Sequence, residues 1–511
     1  MGKRRILAAA GGLALLAAAC SDDADGDAAL NETQGASDQG GEGAVATDEV
    51  GRAGSSDPEA PVFEDYGVNP VVTTADDPQS TFALDVDTGS YTITRNHIGD
   101  GFLPDPAAVR TEEFVNYFPQ DYEPPEDGIA VHVDGTTVPF LDDPSRRVVR
   151  VGLQAAAVSD EDRPPAVLTF VVDTSGSMAD GGKLDVVRAA LDRLVDSLRP
   201  DDQVGIVAYS DDAQVRLEPT PVDHQGPIRE AIDGLQPLDS TNAAAGLRLG
   251  YEQARAHLHS GGVNRVILLS DGVANVDETD PGALASEIQT AADDDIQLVT
   301  VGVGMGTYND VLMEQLADQG DGFYAYVDDV GEAERLFVDD LTGTLQVVAR
   351  EARVQVTFDP EAVVSYRLLG FENRQISDDE FEDDSVDGGE VGAGHSVTAL
   401  YEVTLPEGGD AGTSPLLTAE VRWVDPDSDD PGGRSAELTT DGLSASFDEA
   451  SDRLRQDILV AAFAEVLRDG PWSEQVSLRN VADNAAALQS DPDDVVAEFV
   501  TLASAAADLA P

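Results

Sequence analysis

Cysteine is nearly missing from this 511-residue chain, with Cys20 the single one present. A disulfide framework within the fold is therefore excluded. Lysine is almost as scarce: Lys3 and Lys183 stand alone, and every other cationic side chain apart from histidine is an arginine. Lysine and arginine together number 30 against 99 carboxylic acids, giving a formal charge of −69. So negative a surface repels phosphates, which excludes nucleic acid as a partner and any electrostatic hold on anionic lipid. The excess acid runs along the whole chain instead of gathering in a tail, so it is read as a surface adaptation. Long apolar runs are missing too. The stretch from Ile6 to Ala19, about 14 residues, is too short to span a bilayer comfortably.

That short stretch nevertheless bears on location. Lys3, Arg4 and Arg5 precede it and Leu16-Ala17-Ala18-Ala19-Cys20 closes it, the layout of a signal peptide over residues 1–20. Cys20 after small residues resembles a bacterial lipobox, whose cysteine is lipidated and becomes the mature N-terminus. Ala17 stands where the commonest lipobox has leucine, so ordinary cleavage after Ala19 is the competing reading. The expectation is a lipid anchor to the extracytoplasmic face of the cell membrane. N-myristoylation is excluded, because Ile6 occupies the position that needs serine or threonine. Residues 21–60 are rich in Asp, Gly, Ala and Ser with few large apolar side chains, which predicts a disordered acidic tether.

Chemistry first becomes visible at Asp173-Thr174-Ser175-Gly176-Ser177. The preceding run, Ala166 to Val172, is continuously apolar and reads as a buried parallel strand. A helix with Leu184, Leu191, Val195 and Leu198 on one stripe follows it. The carboxylate and hydroxyls thus fall at the carboxyl end of a strand, where open α/β sheets bind their ligands. Further on, Asp239-Ser240-Thr241-Asn242 opens a second predicted helix, with Leu247, Tyr251, Ala254 and Leu258 on its face. Another apolar strand, Val266 to Leu269, ends in Ser270-Asp271-Gly272. Three loops at one sheet edge would form an oxygen-lined crevice suited to a hard divalent cation. Helix capping alone would account for Ser or Asp in any one of them; their agreement in order and context favours the metal site.

These three motifs resemble the metal-ion-dependent adhesion site of von Willebrand factor type A domains. The resemblance implies a doubly wound α/β fold in which Asp173, Ser175, Ser177, Thr241 and Asp271 are the metal-site residues. It implies Mg²⁺, with Mn²⁺ or Ca²⁺ as alternatives, and an open coordination position for an Asp or Glu carboxylate of a protein partner. Hydroxyl donors neutralise little of the ion's charge, so it would stay electrophilic toward such a group.

Other motifs fail. Asp87-Thr88-Gly89-Ser90 looks like an aspartic-protease signature, but such a site needs two carboxylates sharing a proton, and no second one lies in a comparable setting. Asp425, Asp427 and Asp429 mimic the start of an EF-hand, yet Asp430 replaces the turn glycine and Ala436 the bidentate glutamate. That segment is expected to be an exposed hairpin turn. Gly182-Lys183 is followed by Leu184 and lacks the earlier glycine of a P-loop.

The resulting division is residues 61–162 as an amino-terminal flank, 163–349 as the von Willebrand A domain and 350–511 as a β-rich and helical carboxyl-terminal part. In the first flank, Phe82 to Val86 and Ile129 to Val133 alternate as strands, with a helix predicted from Ala107 to Phe118. Strands in the core are expected near 204–209, 266–269, 298–303 and 323–327. In the second flank they are expected near 354–358, 396–405 and 416–424. Two closing helices carry Leu454, Ile458, Ala461 and Val466, then Val495, Phe499 and Leu502. Asn69-Pro70 through Asp85-Val86-Asp87-Thr88, Tyr366 to Arg374 and Glu390 to Tyr401 resemble the flanks of the YfbK-like subgroup of bacterial von Willebrand A lipoproteins. The two flanks are expected to pair into one β-rich domain. A membrane-tethered binding module is the favoured function. A metal-assisted hydrolase using the same ion, or a scaffold, is the alternative.

Overall fold

The computed structural model describes residues 63–511, apart from 85–86, 142, 160, 162, 239, 272–280, 305–309, 340–342, 344, 384–385, 387, 407–414, 427, 489–493 and 511. The stretches expected to be a signal peptide, residues 1–20 with Cys20, and a tether, residues 21–60, therefore lie outside the described residues. A central six-stranded sheet runs in the order Tyr324–Val327, Gln297–Val303, Val263–Ser270, Ala166–Asp173, Gln203–Tyr209, Ala213–Pro221. The first five strands are parallel and the last is antiparallel. Every residue of Ala166–Asp173 is buried, because helices cover both faces of the sheet. One face is packed by Leu184, Val187, Leu191 and Leu194, the other by Leu247, Tyr251, Leu284 and Ile288. Ala166–Asp173 lies between its successor Gln203–Tyr209 on one side and Val263–Ser270 on the other. The chain thus reverses its direction of winding there, and the crevice of a doubly wound sheet opens at that point.

Two antiparallel sheets form a sandwich beside this core. One runs Val72–Thr73, Ser365–Leu369, Ser396–Thr404, Arg146–Ala155, Ile129–Thr137. The other runs Val391–Gly392, Val347–Phe358, Pro415–Val424, Pro431–Thr439, with Gln79–Ala83 also paired to Val347–Phe358. Strands from before and after the α/β core are paired with each other in both sheets, so the flanks do pair, as expected. Phe82, Val151, Val354, Phe358, Tyr401 and Trp423 fill the interior between them. A helical layer joins Tyr91, Phe114 and Phe118 of the first flank to Phe463, Trp472 and Phe499 of the second.

Three local expectations need correction. The helix predicted from Ala107 to Phe118 is a short 3₁₀ turn, Pro106–Ala108, and a separate helix, Thr111–Asn116. Arg110 between them is extended, because the Ser90 hydroxyl donates to Ala108 O while accepting the Arg110 N–H. Arg110 is thereby aimed at Glu113 and Glu314. Leu258 falls beyond the helix Ala243–Ala256 and is exposed, so it does not share the apolar face. Leu198 is buried but extended, capping its helix instead of extending it. The acidic segment at Asp425 is a hairpin turn, its N–H donating to Asp430 O at 3.0 Å; Asp427 lies outside the described residues. Asp87 accepts the Tyr324 N–H at 3.1 Å and so ties the first flank to the edge of the central sheet.

Candidate metal centre

The first loop is shaped by its own polar residues. Asp173 ends its strand and accepts the Ser175 N–H at 2.8 Å, which turns the chain back on itself. Thr174 holds the turn to the next strand, its N–H and hydroxyl donating to Tyr209 O at 2.9 and 2.8 Å. The hydroxyls of Ser175 and Ser177 lie 3.0 Å apart. Gly181 and Gly182, at φ +61° and +76°, then lead into the helix Lys183–Ser197, a left-handed path that favours glycine.

Asp173 is fully buried. Its second oxygen accepts the hydroxyls of Tyr209 at 3.1 Å and Ser270 at 3.0 Å. Burial pushes the Asp173 carboxyl up from its ordinary value; hydrogen bonds from the Ser175 N–H and hydroxyl pull it down, and the charge of Asp271 raises it further. Tyr209, fully buried and facing the Asp173 charge, is raised well above the usual phenol value.

Asp271 follows the strand Val263–Ser270 and is also fully buried. One of its oxygens accepts Lys183 Nζ at 3.0 Å. The other, Oδ1, has no hydrogen-bond partner among the described residues. A buried acceptor left unmatched calls for a missing positive or donating group. Among the described residues no group of three or more His, Cys, Asp or Glu side chains is placed to hold a metal ion. A cation here would therefore be held by two carboxylates and otherwise by hydroxyl or water oxygen. The donor set fits a hard divalent ion.

Thr241 is half-buried in the third loop, between Ser240 at φ +76° and Asn242. Asn242 accepts the Ala245 N–H at 3.0 Å and caps the helix Ala243–Ala256. This loop is brought to the first by the Leu238 N–H, which donates to Thr174 O at 2.6 Å. Asp173, Ser175, Ser177 and Asp271 are thus assembled at one edge with the Thr241 loop alongside, although no hydrogen bond joins the Thr241 hydroxyl to the other four. Gly272 and Asp239 lie outside the described residues.

Sequence reasoning misses Tyr209, Ser270 and Lys183. Tyr209 stands directly opposite Asp173 in the parallel register, a pairing no local motif announces. Ser270 is visible beside Asp271, but nothing in its own segment gives it a role. Lys183 is signalled only by the rarity of lysine.

Helix Ala243–Ala256 can approach the site closely because of Gly246 and Gly250. A Cβ at Gly246 would lie 2.6 Å from the Tyr209 ring, and one at Gly250 would lie 2.4 Å from Val171 Cγ2. Gly246→Ala is expected to push Tyr209 off Asp173, destabilise the protein by about 1–3 kcal/mol and weaken divalent-ion binding. Denaturant melts and metal calorimetry read the two effects; unchanged values in both would show that the helix shifts freely.

Comparison with known proteins agrees with this architecture. Residues 168–339 match the von Willebrand factor type A domain family, residues 57–150 match the family described as von Willebrand factor, and residues 343–509 match the C-terminal domain of uncharacterised protein YfbK. The uncharacterised protein YfbK of Escherichia coli is 34% identical over 460 residues, covering 86% of this chain and 80% of that protein. Human inter-alpha-trypsin inhibitor heavy chain H4 is 28% identical over 208 residues, 38% of this chain and 21% of its own length. Among solved structures, a von Willebrand factor type A protein from Catenulispora acidiphila aligns with a TM-score of 0.41 at 15% identity, covering 73% of this chain and 88% of that one.

Proposed function

Because the chain belongs to the YfbK-like family of bacterial von Willebrand factor type A domain proteins, we propose that it is a binding module whose partner is captured through a divalent cation. Domains of this type typically mediate protein–protein interaction. In this reading Asp173, Ser175, Ser177, Thr241 and Asp271 hold Mg²⁺, with Mn²⁺ or Ca²⁺ as alternatives. The ion would supply a positive centre for an Asp or Glu carboxylate of the partner. The protein residues contribute orientation: Tyr209 and Ser270 fix the Asp173 carboxylate, and the Ser175 N–H holds its other oxygen.

The observation that carries the reading is the buried Asp271 Oδ1, left without a partner among the described residues beside a second buried carboxylate at the winding reversal of the sheet. Tethering through a lipidated Cys20 would present the module outside the membrane; no helix among the described residues is long and apolar enough to cross one. The test is titration of Mg²⁺ and Mn²⁺ into the unit beginning at Asp57, by calorimetry and thermal shift, beside Asp173→Ala. Saturable binding lost in the variant is expected. Absence of binding in the wild type would remove the mechanism and leave a scaffold.

A further inference from the structure

Lys183 is placed where a lysine is hard to keep. It is 6% exposed, with its ammonium 3.0 Å from Asp271 Oδ2. It occupies the first position of the helix Lys183–Ser197, where the helix dipole repels a cation. Gly182 before it supplies no side-chain cap. Its stem lies on Gly304, at φ +71°, where a Cβ would come 2.6 Å from Lys183 Cγ. The backbone at Gly304 thus leaves room for this one side chain. Stability gives little reason to retain it, since a buried ion pair is seldom better than apolar residues of similar volume. The sequence is otherwise stripped of lysine beyond residue 3.

Building on the metal reading above, we propose that Lys183 is a built-in counter-ion of the centre, trading affinity for the divalent cation against affinity for the partner's carboxylate. The charges decide the direction. Asp173 and Asp271 bring two negative charges and Lys183 one positive. A divalent ion added to this set leaves the site one unit positive; without Lys183 the loaded site would be neutral. The ammonium therefore opposes entry of the ion and strengthens the field felt by an incoming carboxylate. Lys183 acts through Asp271 and needs no contact with the partner, which makes it a positioning residue of electrostatic kind.

The test uses the full chain with Lys183→Met, Lys183→Gln and Lys183→Arg, titrated with Mn²⁺ by calorimetry. Acetate is then titrated into the Mn²⁺-loaded proteins and followed by water-proton relaxation. Both neutral variants are expected to bind Mn²⁺ roughly tenfold more tightly and acetate several-fold more weakly, while Lys183→Arg stays near the wild type. A merely structural lysine would weaken both affinities together when replaced. The glutamine variant, which retains a donor for Asp271, keeps the result readable if methionine at this position prevents folding. Unchanged or weaker Mn²⁺ binding in the neutral variants, with the wild type still binding, overturns the counter-ion role and leaves the metal reading intact. Failure of the wild type to bind Mn²⁺ overturns both.

Discussion

Asp173→Asn is expected to abolish divalent-ion binding and at the same time raise the Tm of the metal-free protein. The carboxylate receives the Ser175 N–H and the hydroxyls of Tyr209 and Ser270, yet its pKa is raised because burial outweighs those bonds. The ionised form is therefore disfavoured in the fold relative to the unfolded chain. A carboxyl with a raised folded pKa binds more protons in the native state than in the unfolded one. Its contribution to stability is complete at low pH and is lost as pH climbs from the ordinary carboxylate range through the raised value. Every tenfold gain in proton affinity on folding corresponds to about 1.4 kcal/mol. Asparagine keeps the shape and has no charge to desolvate, so the Tm advantage of the variant should widen with pH across that window. Bound Mg²⁺ would reverse the order, because it stabilises the ionised wild type, whereas the variant offers only Asp271, already paired with Lys183. Thermal melts in chelator and in Mg²⁺ from pH 4 to 8, with calorimetry, separate these effects. Equal Tm values throughout, or retained binding by the variant, would refute this account of the site.

How much of this was legible depended on whether the informative residues are neighbours in the chain. The strand ending at Asp173 and the turn after it are local, and so is the apolar run leading to Asp271. Periodicity and turn chemistry suffice to read both. Lys183 and Asp271 are 88 positions apart, and nothing in either segment points to the other. The strand Arg146–Ala155 escaped for a different reason. It is paired on both sides within its sheet, but Arg146, Arg147 and Arg150 give it the look of a polar segment. Arg150 is buried because Asp134, Asp457 and Gln120 take up its donors. The partner that makes an arginine acceptable in a core cannot be seen along the strand itself. Ala213–Pro221 escaped because it is an edge strand with mostly exposed or half-buried side chains, so it carries no apolar alternation.

The same arginine makes the two flanks inseparable, and this gives the second large expected effect. A protein consisting of residues 346–511 alone should not fold cooperatively. Its strand Ser396–Thr404 would lose the neighbour Arg146–Ala155 across nine paired positions, Ser396 with Gln154 through Thr404 with Arg146. Val347–Phe358 would lose Gln79–Ala83, leaving long unpaired edges. The interior would lose Phe82, Val149, Val151 and Leu153, and the helical layer Tyr91, Phe114 and Phe118. Asp457, buried in the helix Asp452–Leu467, would keep neither Arg150 nor Gln120. Burial already raises its carboxyl with the guanidinium in place, so without it the group must fold protonated or remain a charge uncompensated. A single change isolates that last contribution. Arg150→Met in the intact chain leaves the strands paired and removes the counter-ion, and is expected to destabilise by about 3–5 kcal/mol. Arg150→Met combined with Asp457→Leu should recover most of that loss, because two apolar groups of similar volume replace the pair. Denaturant unfolding of the three proteins, beside circular dichroism of residues 346–511 with and without residues 57–162 added, measures both claims. A cooperative melt of the isolated carboxyl-terminal part at the temperature of the whole protein would show that its fold does not depend on the first flank. An Arg150→Met variant as stable as the wild type would show that Asp457 finds another partner.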